Sequence, residues 1–223
     1  MRWLRMIVTA FVLSIAWPAA AGDLTVKVVD GDGKPVSDAV VTLTLDTPAP
    51  DPGSLSANER PASATRIVDQ KNETFLPYVQ VFRRGDTVVF RNSDTTRHHV
   101  YSFSPVKSFE FVLRPGESSP PLTLDHVGIA AIGCNIHDHM ITYLYVTDAE
   151  SIAVSGANGR ITLPGLATGQ YTAHLWHPQL HPGRPEIIRA VHIEGNAVPD
   201  PLTFTLSLIP DPRMRIDREH LGY

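Results

Sequence analysis

The sequence predicts an all-β protein. Apolar residues recur with a period of two in short runs, and turns rich in glycine, proline and aspartate separate those runs. No segment sustains the period of an amphipathic helix. A strand sends alternate side chains to opposite faces, so such runs specify sheets with one buried side, and a sheet buries that side only against a second layer. The economical architecture is therefore a β-sandwich.

Taken in order, residues Met1 to Ala21 carry the marks of a secretory leader: Arg2 and Arg5, an apolar stretch from Met6 to Trp17, and the small residues Ala19, Ala20 and Ala21 before a cleavage point. The stretch is short for a membrane span and none follows, so the expectation is an exported, periplasmic chain without a span. Leu24 to Val28 and Ala39 to Leu45 alternate as strands, and the turn Asp30 to Pro35 between them reads as the bend of a β-hairpin. Residues 47–65, rich in Pro, Asp, Ser and Asn, show no apolar period and read as a linker. Within 66–148, strands are predicted at Val79 to Phe82, Thr87 to Phe90, His99 to Phe103, Phe109 to Leu113, Ile129 to Ile132 and Ile141 to Val146. Residues 149–208 return to the turn-punctuated pattern of 22–46. Residues 209–223, charged and proline-containing, read as an extended tail. The length suits two small β domains, each able to bury a core.

The chemistry concentrates at Gly133-Cys134-Asn135-Ile136-His137-Asp138-His139-Met140, which holds the only cysteine, two histidines and a methionine. Five of the ten histidines fall between His98 and His139, so the cysteine does not read as an inert buried hydrophobe. A thiolate, imidazoles and a thioether are soft donors that select copper, whereas zinc sites use more thiolates or carboxylates. His98 and His99, upstream in Phe90 to Val100, are both candidates for a second imidazole. A lone cysteine in an oxidising compartment has no internal disulfide partner, and metal ligation protects it. The pair His137 and His139 is too little for a multicopper cluster, so His139 reads as a surface neighbour of an exposed His137. His126 reads as structural. His174, His177 and His181 do not read as a second metal site, since residues i and i+3 of a strand face opposite ways.

The spacing Cys134-x2-His137-x2-Met140, with an Asn92-started loop ending at His98-His99-Val100, resembles small blue copper proteins of the plastocyanin and amicyanin type. The resemblance implies a cupredoxin Greek-key fold for 66–148, with Phe75-Leu76-Pro77 matching a Phe-x-Pro strand of the family. It also implies one type 1 copper ion held by His98, Cys134, His137 and Met140. His99 stands where the family has an asparagine tying the ligand loops together, and an imidazole N–H is able to donate in its place. Asn92 and backbone groups near Ser93 and Asn135 are candidates to hydrogen-bond the sulfur. Separately, Val28 to Val41 and Asn158 to Pro178 resemble the two halves of the transthyretin-like, carboxypeptidase regulatory-like sandwich. The implied arrangement is a cupredoxin inserted into, or adjacent to, that sandwich, as in periplasmic proteins labelled methylamine-utilisation proteins.

The implied function is single-electron transport, with a periplasmic redox protein such as a cytochrome c or dehydrogenase as partner. The net charge of −4, made more negative by loss of Arg2 and Arg5, excludes nucleic acid as partner. No Ser/His/Asp order or phosphate-binding glycine loop marks an enzyme. Two alternatives stay open: a copper chaperone or storage protein, and a carbohydrate- or protein-binding module with a structural metal.

Overall fold

The structure is a computed structural model that describes residues 21–46, 63–149, 151–194 and 200–214. The leader before Ala21, the linker from 47 to 62 and the tail from 215 onward lie outside the described residues. Among the described residues sixteen strands follow one another: β1 Ala21–Asp30, β2 Val40–Leu45, β3 Thr65–Gln70, β4 Phe75–Leu76, β5 Val79–Arg83, β6 Thr87–Asn92, β7 His98–Ser104 and β8 Lys107–Leu113; then β9 Leu122–Thr123, β10 Gly128–Cys134, β11 Ile141–Thr147, β12 Ser151–Val154, β13 Arg160–Ala167, β14 Gly169–Trp176, β15 Ile187–Ile193 and β16 Leu202–Leu206. The only helical turn among the described residues is 3-10, Pro212–Met214. The chain is all-β, as its period-two runs require. The strand β3 begins at Thr65, within the segment read as linker.

Two pairs of sheets enclose two cores. In the first, the sheet β5-β11-β10-β7-β8 faces the sheet β4-β3-β6-β9. Between them lie Val68, Phe75, Phe82, Phe90, Val100, Ile132 and Leu144. Alternation does the sorting: in β7 His98, Val100 and Ser102 turn inward, and in β10 Ala130, Ile132 and Cys134 do. In the second, the sheet β13-β1-β16 faces β12-β2-β14-β15 around Leu24, Val26, Val28, Val41, Ile161, Leu175 and Phe204.

The expected hairpin of the first two strands does not form. Strand β1 pairs with β13 and β16, while β2 pairs with β12 and β14 in the opposite sheet. The turn itself exists, with Gly33 N–H donating to Asp30 O at 3.0 Å, but the chain beyond it passes to the other layer. Both layers have a buried face to fill, and period-two patterning says which side of a strand is buried without saying which sheet it joins. Every strand partner of β1 and β2 comes from beyond residue 150, so their core closes only after β3 to β11 have been threaded between.

The outer face of β11 supplies the contact between the two cores. Tyr143 and Tyr145 each set their rings 5.6 Å from Trp176 of β14, and Val40, Ile152 and Val154 pack around them. Arg213 lies 3.5 Å above the Tyr78 ring and pairs with Asp211, so Asp211 and Arg213 are held at the junction instead of trailing away as a tail, while Met214 is exposed. Burial pushes the Tyr78 hydroxyl far above its usual range. Removing the half-buried indole by Trp176→Ala is expected to cost about 2 kcal/mol in chemical denaturation. The same variant should leave the first core's ligand cluster in place.

Candidate metal centre

Three donors from two loci meet at one end of the first sandwich. His98 opens β7 and Cys134 closes β10, and these strands run antiparallel with Cys134 opposite Val100. Residues two apart on a strand share a face, so His98 and Cys134 are diagonal neighbours on the inner side. The turn after β10 returns through Met140, whose N–H donates to His137 O at 3.0 Å and whose carbonyl accepts Cys134 N–H at 3.2 Å. That closure brings His137 back over the sulfur.

The result is convergent. Nδ1 of His98 and Nδ1 of His137 each lie 3.8 Å from Cys134 Sγ, and one donor atom from each of the three residues lies within 4.8 Å of the others. The imidazole rings are 5.1 Å apart. A thiolate and an imidazole bonded to one ion at about 2.3 and 2.0 Å, as zinc holds them, stand roughly 3.8 Å apart across a trigonal angle, so the spacing fits a shared ion. The donor set, one sulfur and two imidazoles, is the one soft enough for copper. Met140 is buried in the core that also contains Cys134.

The loop carrying His98 is held by a buried amide. Asn92 Nδ2 donates to Thr96 O at 2.8 Å and to Leu113 O at 2.9 Å, and its Oδ1 accepts Asp94 N–H at 2.9 Å. Asn92 therefore shapes the loop, and the sulfur receives no bond from it. Asn92→Ala is expected to cost about 2 kcal/mol of stability by orphaning buried carbonyls. It should also weaken metal binding roughly tenfold, read by competition with a chelator.

Carboxylates stand behind both imidazoles. Asp94 Oδ2 is 3.2 Å from His98 Nε2, and the same oxygen accepts Glu73 N–H at 2.7 Å. Glu73 Oε1 is 3.7 Å from His137 Nε2, ion-pair range but longer than a hydrogen bond. Burial lowers the pKa of His98, and the His137 ring adds to that, against the pull of Asp94. Burial alone would raise Asp94, but the N–H groups of Glu73 and Thr95 and the ring of His98 hold it below the carboxylate range. Sequence reading missed both acids. Asp94 is inside the ligand loop, but an acid there has no distinguishing pattern, and Glu73 comes from a different hairpin altogether.

Several expectations around the site are corrected. His137 is 7% exposed, with Glu73 of the β3–β4 turn 3.7 Å from its ring, so it is a buried residue and not the exposed one expected. His99 turns to the outer face and bonds Glu110 at 2.6 Å, and it is the His99 backbone carbonyl that joins the loops by accepting Asn135 N–H at 3.0 Å. Ser93 N–H goes to Gln70 O, so neither backbone group reaches the sulfur. His139 is half-buried, its ring 6.2 Å from that of His137. His126 is exposed on a bend and packs no core. In the second sandwich, His174 bonds Glu186 at 2.8 Å on the outer side. Buried His177 is satisfied by Ser37 O and Gln179 N–H, and His181 is exposed. Among the described residues, no helix is long and apolar enough to cross a membrane.

Comparison with protein-family models gives no match, and neither does comparison with curated proteins. Solved structures do match part of the chain. A Cu-containing nitrite reductase from Thermus scotoductus is 26% identical over 40% of this chain, at a TM-score of 0.33, and the match spans only 23% of the reductase. A purple cupredoxin from Nitrosopumilus maritimus is 19% identical over 38% of this chain and 100% of its own, at 0.33. Amicyanin from Paracoccus versutus is 19% identical over 48% of this chain and 98% of its own, at 0.34. The chain is an all-β protein with a buried His–Cys–His cluster, similar over less than half its length to these solved structures.

Proposed function

We propose that this protein is a blue-copper electron carrier: His98, Cys134 and His137 hold one type 1 copper ion, Met140 serves as a weaker fourth donor, and the chain shuttles single electrons between redox partners. The observation that carries the reading is the convergence of two imidazole nitrogens on one buried sulfur. When bound, copper supplies a one-electron couple between Cu(I) and Cu(II).

The chain's own part is to hold still. Cys134 and His98 sit on paired strands, and His137 sits in a turn closed by two backbone hydrogen bonds, so the donors keep their places whatever charge lies between them. All three are under a tenth exposed, which keeps water from adding as a further ligand. That burial supports a resident ion over the freely exchanged cargo of a chaperone.

In this reading residues 66–148 are a cupredoxin-like domain inserted into a transthyretin-like sandwich built from 22–46 and 149–208. The pairing of β1 and β2 exclusively with strands beyond residue 150 supports it. The leader directs the protein to the periplasm, where a cytochrome c or a dehydrogenase is the partner. Loading the mature protein with Cu(II) should give one ion per chain, an intense blue charge-transfer band and the narrow copper hyperfine splitting of a thiolate site in EPR. A pale, weakly held ion would overturn the proposal.

A further inference from the structure

We infer that Asp94 and Glu73 are positioning residues that hold the two ligand imidazoles from behind and set the reduction potential of the centre, an inference that rests on the copper reading above. An ionised carboxylate only accepts hydrogen bonds. With Asp94 Oδ2 at 3.2 Å, Nε2 of His98 therefore carries the ring proton and Nδ1 keeps its lone pair toward Cys134 Sγ. The charge of Glu73 stands 3.7 Å from the corresponding nitrogen of His137, whose Nδ1 likewise faces the sulfur. The His98 ring is thus turned and fixed as a ligand before any ion arrives, and Glu73 sets a carboxylate within ion-pair range behind His137.

The two acids form one device. The Asp94 oxygen that meets His98 also accepts the Glu73 N–H at 2.7 Å, so the ligand loop is tied to the turn that covers His137. That turn is built against local preference. Lys71 and Thr74 exchange backbone hydrogen bonds at 3.0 and 3.2 Å, and the two residues between them, Asn72 and Glu73, both have φ of 52°. A two-residue turn of this kind favours Asn followed by Gly, because only glycine takes the left-handed conformation without strain. Asn72 obeys the rule, and glutamate occupies the glycine position. Strained backbone at a site edge is retained where the side chain it presents is needed there.

Carboxylates behind ligand imidazoles raise their basicity. More electron-rich donors favour the more highly charged ion, so this pair should lower the potential. The test compares wild type with Asp94→Asn and Glu73→Gly. Glycine relaxes the turn, so Glu73→Gly should unfold at the same temperature as wild type or higher, which separates the carboxylate's role from a structural one. In redox titrations of the copper-loaded proteins, Asp94→Asn should raise the Cu(I)/Cu(II) ratio about tenfold at a fixed applied potential, a midpoint higher by about 59 mV. Glu73→Gly should move it in the same direction by less, given the longer contact. Unchanged midpoints in two folded, blue variants would overturn the inference. Copper-free protein provides a separate readout by imidazole NMR. A slowly exchanging Nε2–H on His98 is expected in wild type and its loss of protection in Asp94→Asn; an Nδ1–H ring in wild type would overturn the positioning role. If loaded wild type is not blue, the copper reading fails and the NMR result alone decides whether these acids orient the rings.

Discussion

Replacing Cys134 by serine is expected to abolish the blue absorption of the copper-loaded protein while leaving the fold standing. The band of a type 1 site arises from the copper–thiolate bond, and among the described residues Cys134 is the only thiol. A serine oxygen is a hard donor and stays protonated at neutral pH, so Cu(II) would keep only the two imidazoles as strong ligands. The fold should lose little. The hydroxyl of serine occupies less space than the sulfur it replaces, and it would face two ring nitrogens able to pair with it. The expected cost is about 1 kcal/mol, or roughly 2–4 °C in the thermal midpoint of the copper-free chain. Visible and EPR spectra of both proteins at equal copper loading make the comparison. Identical spectra would end the electron-carrier proposal and bring the chaperone and binding-module alternatives forward. A colourless but unfolded variant would be recognised by its lost thermal transition.

The second large effect is structural. Gly159→Ala should destabilise the second sandwich by about 2–5 kcal/mol, lowering its thermal midpoint by about 8–40 °C. Two costs combine there. The backbone has φ of +66°, in the left-handed region, and a Cβ would stand 2.4 Å from the Val28 carbonyl oxygen and 3.0 Å from Val36 N. Neither neighbour is a flexible side-chain end. The carbonyl of Gly159 accepts Val28 N–H at 2.7 Å, so the strand β1 cannot retreat without losing a ladder bond. Scanning calorimetry of copper-free protein checks the size of the effect. Because the donors His98, Cys134 and His137 belong to the other core, copper colour at a temperature where both cores are folded should match wild type. Loss of colour in a folded Gly159→Ala chain would show that the two cores depend on each other more closely than the junction at Trp176 implies.

The sequence by itself determined that the chain is all-β, where most strands lie, and which residues carry the soft donors. Those properties are local. A period of two needs only neighbouring residues, and Cys134, His137 and Met140 are three apart on one turn. His98 was legible as one of two adjacent histidines, and alternation in β7 then sends His98 inward to the sulfur and His99 outward to Glu110. Tertiary structure alone decided the rest. Which sheet β2 joins depended on strands more than a hundred residues away, so the apparent hairpin with β1 was split between two layers. The β3–β4 turn covers His137 and brings Glu73 to it, although more than sixty residues separate them in the chain. Asp211 and Arg213, which read as tail, are drawn in by the ring of Tyr78. In each case the deciding contact joins positions far apart in sequence, and a hydrophobic pattern records that a residue is buried without recording what it is buried against.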